Sequence, residues 1–221
     1  MKYEFRIVGT TPLFMNSDNI EWADQMEEWR KDPDNKGKSR PGDDRSPAFT
    51  WIGSLWNDGS RVTIPAQVIQ KVISLAGAKV LTGKGKSTYK AVAAASVVCV
   101  EPWTPLLAYG KEIPMRPIEG MVGNMNFAEH KLLARKLGFE LDVRRAKPQY
   151  NTKHVRVRPM FLDWGTMGVL DVDEDEISED VMKKIMAIAG NKIGIGNWRP
   201  SESQSPGPFG KFEAELNPLK S

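Results

Sequence analysis

Few residues in this sequence can bind a metal or form a disulfide bond. Its 221 residues include one cysteine, Cys99, and two histidines, His130 and His154. A single cysteine excludes an internal disulfide framework, and its position in the apolar run AAASVVCV indicates a buried, unreactive thiol in a reducing compartment. The two histidines and the cysteine lack the spacing that is typical of a metal site. We therefore expect no metal and no cofactor.

Long apolar runs are also missing. No stretch approaches the roughly 20 apolar residues that span a bilayer. The first residues, MKYEFRIVG, alternate polar and apolar positions, which is typical of a strand and not of a signal peptide. Hydrophobic residues make up 40% of the chain and charged residues 27%, so the composition is that of a globular domain with a buried core. We expect a cytoplasmic protein with no membrane partner.

Acidic residues are absent from one long stretch. The net charge is only +3, yet no aspartate or glutamate lies between Asp142 and Asp163. This basic stretch carries Arg144, Arg145, Lys147, Lys153, His154, Arg156 and Arg158. We expect Arg156 and Arg158 on one face of a strand, and Arg144, Arg145 and Lys147 in an adjoining loop. Such segregation predicts a surface that attracts polyanions, with a solvated face that binds nothing as the alternative.

Phosphate-loop and calcium-loop motifs are absent as well. GKGKS at 83–87 resembles a P-loop, but that motif needs a glycine where this chain has Val80, and a strand where this chain has a helix. The acidic DVDEDE near residue 173 lacks the glycine and terminal glutamate of an EF-hand loop. We interpret residues 80–90 as a flexible basic loop that contributes Lys84, Lys86 and Lys90.

Apolar periodicity predicts an α+β protein. Alternation favours strands over residues 2–9 and from His154 to Trp164, and a period near 3.6 favours helices after Pro65 and Ser178. A first helix is expected after a cap at Ser17 or Asp18. The order of elements indicates an antiparallel sheet with helices on one face, as in ferredoxin-like and modified RNA-recognition folds, within a single domain spanning residues 1–221.

Four further segments complete this interpretation. Residues 31–47 are rich in proline, glycine and charge, so we expect a mobile insertion loop. Residues 48–56 and 61–65, joined by Asn-Asp-Gly-Ser, have the pattern of a β-hairpin. The apolar run at 91–101 indicates a buried strand, and KFEAEL near the end indicates a final strand.

A glycine-rich loop, residues 191–210, follows the last helix. Gly194 and Gly196 free the backbone for close approach to a ligand, and their N–H groups suit phosphate oxygens. Beside them, Trp198 suits stacking on a base, and Arg199 and Lys192 suit phosphate contacts. The alternative is structural: Gly194 caps the helix, Gly210 makes a bulge and Trp198 packs in the core.

Three segments of the sequence resemble the RAMP superfamily of CRISPR-associated proteins, especially the repeated backbone subunit of effector complexes. TTPLFMNS after the first strand is similar to the family's Thr-Pro-Leu turn. VTIPAQVIQKVISLAG is similar to its strand, Ile-Pro and first core helix. The late helix followed by IGIGNWRP and GPFGKFEAEL is similar to its glycine-rich loop and final strand. The Gly-x-Gly-x-Trp-Arg-Pro ending is also similar to that of uncharacterised phage proteins.

The resemblance implies backbone-led binding of single-stranded RNA and side-by-side assembly along the strand, in a bacterial or archaeal cell or a phage-infected host. With the basic stretch, it leads us to expect a non-enzymatic protein that binds single-stranded nucleic acid, RNA in preference to DNA, as a homo-oligomer or ribonucleoprotein subunit. We expect the basic stretch and the turn near residue 196 to form one groove.

Two other functions stay open at this point. The first is a metal-independent endoribonuclease that uses His154 as its general acid–base. The second is a protein-interaction or filament subunit, in which the basic residues 144–158 of one copy meet the acidic residues 171–180 of the next.

Overall fold

The computed structural model describes residues 1–146, 154–202 and 206–219, and shows an α+β protein with antiparallel sheets. The strands of the described residues are β1 (Lys2–Gly9), β2 (Leu13–Phe14), β3 (Thr63–Pro65), β4 (Val97–Cys99), β5 (Trp103–Pro105), β6 (Leu107–Ala108), β7 (Lys111–Glu112), β8 (Glu140–Ala146), β9 (His154–Phe161), β10 (Trp164–Val172) and β11 (Phe212–Pro218). The α-helices are α1 (Ile20–Lys31), α2 (Ala66–Gly77), α3 (Lys90–Ser96), α4 (Arg116–Glu119), α5 (Phe127–Lys136) and α6 (Glu179–Ile188).

The chain forms two compact units, each assembled from separated segments. The first unit contains Met1–Leu13, Thr63–Glu112 and Asp163–Ser221. The second unit contains Phe14–Val62 and Ile113–Leu162. The chain therefore passes between the units several times, and each core is built from residues that lie far apart in sequence.

The first unit contains the larger sheet. Its strands run in the order β11-β1-β10-β6-β7, β4 also pairs with β10, and the pairs are antiparallel. In the central strand β1, Tyr3, Phe5 and Ile7 are at most 1% exposed, while the residues between them are exposed. This alternation is the period of two that a half-buried strand requires, so the prediction of a strand at residues 2–9 is confirmed.

Two amphipathic helices complete the core of the first unit. Helix α2 follows Pro65 and buries Ile69, Val72 and Ile73, as its 3.6-residue period predicts. Helix α6 begins after Ser178, and it contacts both α2 and β11. Ile177 and Met182 are fully buried on either side of that helix start. Each such side chain contributes about 1.5–3 kcal/mol of burial free energy, which fixes where the helix begins.

The second unit is built around Trp51 and the antiparallel pair of β8 and β9. The Trp51 ring lies 5.8 Å from that of Phe139, which in turn lies 5.2 Å from Phe161. Trp51 Nε1 donates a hydrogen bond to His130 Nδ1 at 3.1 Å. Because Nδ1 accepts, the proton of this neutral imidazole is on Nε2, which donates to the Asn124 carbonyl at 2.9 Å. His130 is therefore part of the core.

Several local predictions were wrong. Residues 48–56 do not form a strand, because they include the 3-10 helix Thr50–Ser54, where the ring of Trp22 lies directly against Gly53. Residues 91–101 are not one strand, because the alanine-rich half forms α3 and only Val97–Cys99 is extended. The cap of α1 is Asn19, whose side chain accepts from the Trp22 N–H at 2.9 Å. The expected insertion loop at residues 31–47 contains a short 3-10 helix, Pro33–Asn35, and its mobility stays a prediction.

Candidate nucleic-acid interface

The strongest candidate site is one face of the hairpin formed by β8 and β9. The register pairs Arg144 with Arg156 and Asp142 with Arg158. Residues that are directly opposite share a face, as do residues two positions apart along a strand. Four basic side chains therefore lie on the same side of the hairpin, and we call this set the basic face: Arg144, His154, Arg156 and Arg158.

Carboxylates accompany the basic face, which the sequence stretch alone does not reveal. Arg144 Nε lies 2.7 Å from Asp142 Oδ2, and its guanidinium lies 5.2 Å from the centre of the Phe14 ring. Arg156 Nη1 lies 3.3 Å from Asp44 Oδ1. The side chains of Arg144 and Arg156 remain 45% and 48% exposed. Exposed ion pairs contribute at most about 1 kcal/mol, so these pairs orient the arginines more than they stabilise the fold.

Arg158 lies in the most crowded part of the basic face. Burial lowers the pKa of its guanidinium below the usual range, and the neighbouring charges of Arg156 and Arg144 lower it further. The carboxylates of Asp44 and Asp142 act in the opposite direction. Arginine stays charged despite such shifts. A bound anion would reduce the repulsion among these guanidinium groups.

Asp44 and its neighbours were missed by the sequence interpretation. The Val155 N–H donates to the Gly42 carbonyl at 2.7 Å, and the Asp44 N–H donates to the Val155 carbonyl at 3.0 Å. The Asp44 carboxylate also accepts from the Val157 N–H at 3.2 Å. Residues 42–44 thus lie along β9, although more than a hundred positions separate them in sequence. No local sequence pattern signals this contact.

Among the described residues of the basic stretch, Arg145 does not join this face. Arg144 and Arg145 lie on β8, so the prediction that they line a loop was wrong. Arg145 pairs with Val155 and projects to the opposite side of the hairpin from Arg144. Lys147 and Lys153 lie outside the described residues. The basic face therefore contains every described basic residue of the stretch except Arg145.

The glycine-rich loop belongs to the first unit and is held together by its own contacts. Gly194 is buried with φ of +75°, and its N–H donates to the Ala189 carbonyl at 2.8 Å, as the helix-capping alternative requires. Gly196 is also buried, and its carbonyl accepts from Arg199 Nη1 at 2.7 Å. Arg199 Nε donates to Ser201 Oγ at 3.0 Å. These contacts show Arg199 supporting its own loop.

Trp198 adopts an uncommon backbone conformation within this loop. Its φ is +54°, and its ring is 6.3 Å from that of Phe209 with 35° between the planes. The residue is half-buried. A positive backbone φ at a large residue is unfavourable and needs compensating contacts. One such contact is the Phe209 N–H, which donates to the Trp198 carbonyl at 3.3 Å. Because Trp198 is partly exposed, the prediction that its ring stacks on a base stays a prediction.

The remaining predicted residues are exposed lysines of the first unit. Lys84 and Lys86 lie in the basic loop, Lys90 begins α3, and Lys192 follows α6. The basic face, in contrast, belongs to the second unit. The expectation that the basic stretch and the turn near residue 196 share one groove stays a prediction.

The open side of the large sheet is a poor platform for bases. In RNA-recognition domains, aromatic side chains on this side of the sheet stack on bases. Here the aromatic residues of β1, Tyr3 and Phe5, point into the core. The exposed positions of the same strand hold Lys2, Glu4, Arg6 and Val8. The exposed side of β1 therefore offers no aromatic side chain for stacking.

Metal binding and cysteine reactivity can be checked in the described residues. They contain no group of three or more histidine, cysteine or acidic side chains arranged to hold a metal ion. Cys99 is buried, and burial raises the pKa of its thiol to about 11, which disfavours the reactive thiolate. None of the helices described has both the length and the apolar character to cross a bilayer.

Sequence comparison leaves the family undecided. No protein-family model matches the chain, and no curated protein matches it. A relationship to the RAMP superfamily therefore stays a prediction from three short sequence motifs.

Proposed function

We propose that this protein binds single-stranded nucleic acid, RNA in preference to DNA, through its sugar-phosphate backbone and without covalent catalysis. The observation that carries the proposal is the hairpin register that sets Arg144, Arg156 and Arg158 on one face. Arg156 and Arg158, two apart on β9, are separated by about 6.6 Å, and Arg144 lies directly opposite Arg156 on β8. The three arginines therefore form a compact cluster able to contact neighbouring phosphates.

The ion pairs of the basic face are compatible with phosphate binding. A guanidinium has five N–H donors in a planar fork, and each carboxylate contact described above occupies only part of that fork. Arginine binds phosphate in a bidentate geometry that an exposed pair worth at most about 1 kcal/mol does not prevent. Asp44 and Asp142 thus restrict the motion of Arg156 and Arg144, which lowers the entropy lost when a strand binds.

The order of elements supports a ferredoxin-like arrangement of the first unit. Four strands run β11-β1-β10-β4, with α2 between β1 and β4 in sequence and α6 between β10 and β11. This β-α-β-β-α-β order is that of ferredoxin-like and RNA-recognition domains. Together with the RAMP-like motifs, it favours a cytoplasmic ribonucleoprotein subunit that assembles side by side along a strand.

Fluorescence anisotropy with labelled single-stranded RNA, single-stranded DNA and duplex tests the proposal. We expect single strands to bind, with an affinity that falls as salt rises, by a log–log slope of about −0.7 for each phosphate contact. Absence of binding at low salt would overturn the proposal. The same RNA, incubated with the protein in EDTA, should stay intact. Cleavage that disappears in His154→Ala would instead establish the endoribonuclease alternative.

A further inference from the structure

A cavity of about 370 Å³ opens in the second unit beside the basic face. Its walls come from the end of α1, from residues 39–46, and from the first residues of β9. The charged and titratable side chains that line it are Arg30, Arg40, Asp43, Asp44, His154 and Arg156. Its volume falls within the range of small-molecule sites and is sufficient for one nucleotide.

Both carboxylates of this cavity are already compensated. Asp43 accepts two hydrogen bonds from Arg45, at 2.8 and 2.7 Å, and these bonds lower the pKa of its carboxyl, which therefore stays ionised and paired. Asp44 accepts from Arg156 and from the Val157 N–H. Within the described part of the chain, neither Arg30 nor Arg40 has a carboxylate within ion-pair distance, although Arg40 lies near enough to Asp43 to help lower the pKa of that carboxyl. The cavity therefore has a surplus of positive charge.

The walls of the cavity are held in place by hydrogen bonds of their own. Ser46 Oγ donates to the Lys38 carbonyl at 2.8 Å, and Thr50 Oγ1 donates to the Pro47 carbonyl at 2.8 Å. Gly42 has φ of +77°, and a Cβ at this position would lie 3.3 Å from His154 Nδ1, so the imidazole packs closely on the backbone. Because these hydroxyl protons serve the loop, the guanidiniums of Arg30, Arg40 and Arg156 are the side-chain donors that remain for a ligand. Asp44 occupies only part of the Arg156 fork.

We infer that this cavity binds a phosphate monoester, namely the terminal phosphate and nucleotide of the strand that the basic face holds. The inference rests on the proposed function, because Arg156 belongs both to the cavity wall and to the basic face. A monoester near neutral pH carries up to two negative charges, whereas an internal phosphodiester carries one, so two unpaired guanidiniums favour the strand end.

Anisotropy titrations with otherwise identical oligonucleotides test the inference. The probes carry a 5′-phosphate, a 3′-phosphate or no terminal phosphate, and a nucleoside monophosphate serves as competitor. We expect one phosphorylated end to bind at least about tenfold tighter than the unphosphorylated strand. Arg40→Ala and Arg30→Ala should each remove this preference while leaving the affinity for the unphosphorylated strand unchanged. Lys36 is an exposed lysine of residues 31–47 that lies outside the cavity lining, so Lys36→Ala should keep the preference for the phosphorylated end.

The outcomes separate this inference from the proposed function. Equal affinity for all three strands, or a preference that both arginine variants retain, would overturn the cavity assignment and leave strand binding intact. Binding of the nucleoside monophosphate that Arg40→Ala abolishes, without binding of any strand, would support the cavity and reject the proposed function. Thermal melting of each variant confirms that it is folded. If either Arg30→Ala or Arg40→Ala does not fold, the other variant still tests the inference.

Discussion

At the scale of single residues, two buried threonines of the first unit differ in how the fold satisfies them. Thr63 and Thr104 are both fully buried. Thr104 Oγ1 donates to the Ile64 carbonyl at 3.1 Å and accepts from Thr166 Oγ1 at 2.9 Å. Thr63 Oγ1 has no hydrogen-bond partner among the described residues. A buried hydroxyl without a partner lowers stability by its desolvation cost.

We expect Thr63→Val to raise the free energy of unfolding by about 1 kcal/mol, because the isosteric methyl group needs no partner. Thr104→Val should lower it by about 1–3 kcal/mol, since it leaves the Thr166 hydroxyl without its acceptor. Urea denaturation of both variants measures the difference. Equal destabilisation by the two substitutions would show that Thr63 has a partner after all.

His130 makes stability depend on pH. Burial lowers the pKa of its imidazole below the usual 6.5, so the folded protein keeps it neutral while the unfolded chain takes up a proton. The unfolded state then binds more protons as the pH falls below about 6.5, and the free energy of unfolding should decrease, by up to about 1.4 kcal/mol per pH unit. Above that pH the contribution is fully present.

Chemical denaturation above and below pH 6.5 measures this effect. The wild type and His154→Gln should lose stability on acidification, and His130→Gln should lose less. An identical acid response in the wild type and His130→Gln would assign the effect to other groups.

At the scale of structural elements, the glycine-rich loop is a packed part of the first unit. The Gly210 N–H donates to the Pro12 carbonyl at 2.8 Å, and its own carbonyl accepts from the Ile195 N–H at 2.8 Å. Its φ is +67°, and a Cβ there would collide with the Ile195 carbonyl oxygen. Gly85 has a similar φ of +62° with nothing within 4 Å, so it is a matched control for the backbone conformation alone.

Gly85→Ala should lower the free energy of unfolding by about 1 kcal/mol, the cost of a left-handed backbone for an alanine. Gly210→Ala should lower it by about 3 kcal/mol or more, because overpacking against Ile195 adds to that cost. Thermal or urea unfolding compares the two. If Gly210→Ala lowered the free energy of unfolding no more than Gly85→Ala, the glycine-rich loop would be loosely packed. A role for the backbone of that loop in binding a ligand would then gain support.

Periodic elements could be predicted from the sequence, whereas contacts between distant segments could not. The strand at residues 2–9, the helices after Pro65 and Ser178 and the final strand are confirmed, because each buries one face at its own period. The run at 91–101 was ambiguous, since a short apolar segment suits a strand or a buried helix. The contact between Asp44 and Arg156 joins a loop to a strand that is 112 residues away in sequence. No pattern of neighbouring residues could predict it.

At the scale of the whole molecule, charged residues are unevenly distributed along the sequence, and positive charge exceeds negative charge only slightly. The net charge of +3 is too small to attract a polyanion by itself. Part of the acidic segment has a structural role, because Glu179 and Asp180 occupy the first turn of α6, where the helix dipole favours them. Glu179 also pairs with Lys183 one turn later. Affinity for nucleic acid should therefore follow the arginines of the basic face and not the overall charge.

The central claim is that one face of the β8–β9 hairpin contacts phosphates, and the two faces of that hairpin supply the test. The measurement is the salt dependence of binding to single-stranded RNA by the wild type, by Arg144→Ala/Arg156→Ala, and by Arg145→Ala. Removal of two phosphate contacts should reduce the log–log slope by about 1.4 and weaken binding more than tenfold at low salt. Arg145→Ala, on the opposite face, should leave the log–log slope and the affinity at low salt nearly unchanged. If the double variant kept the wild-type slope, or if Arg145→Ala reduced it equally, the basic face would not be the binding surface.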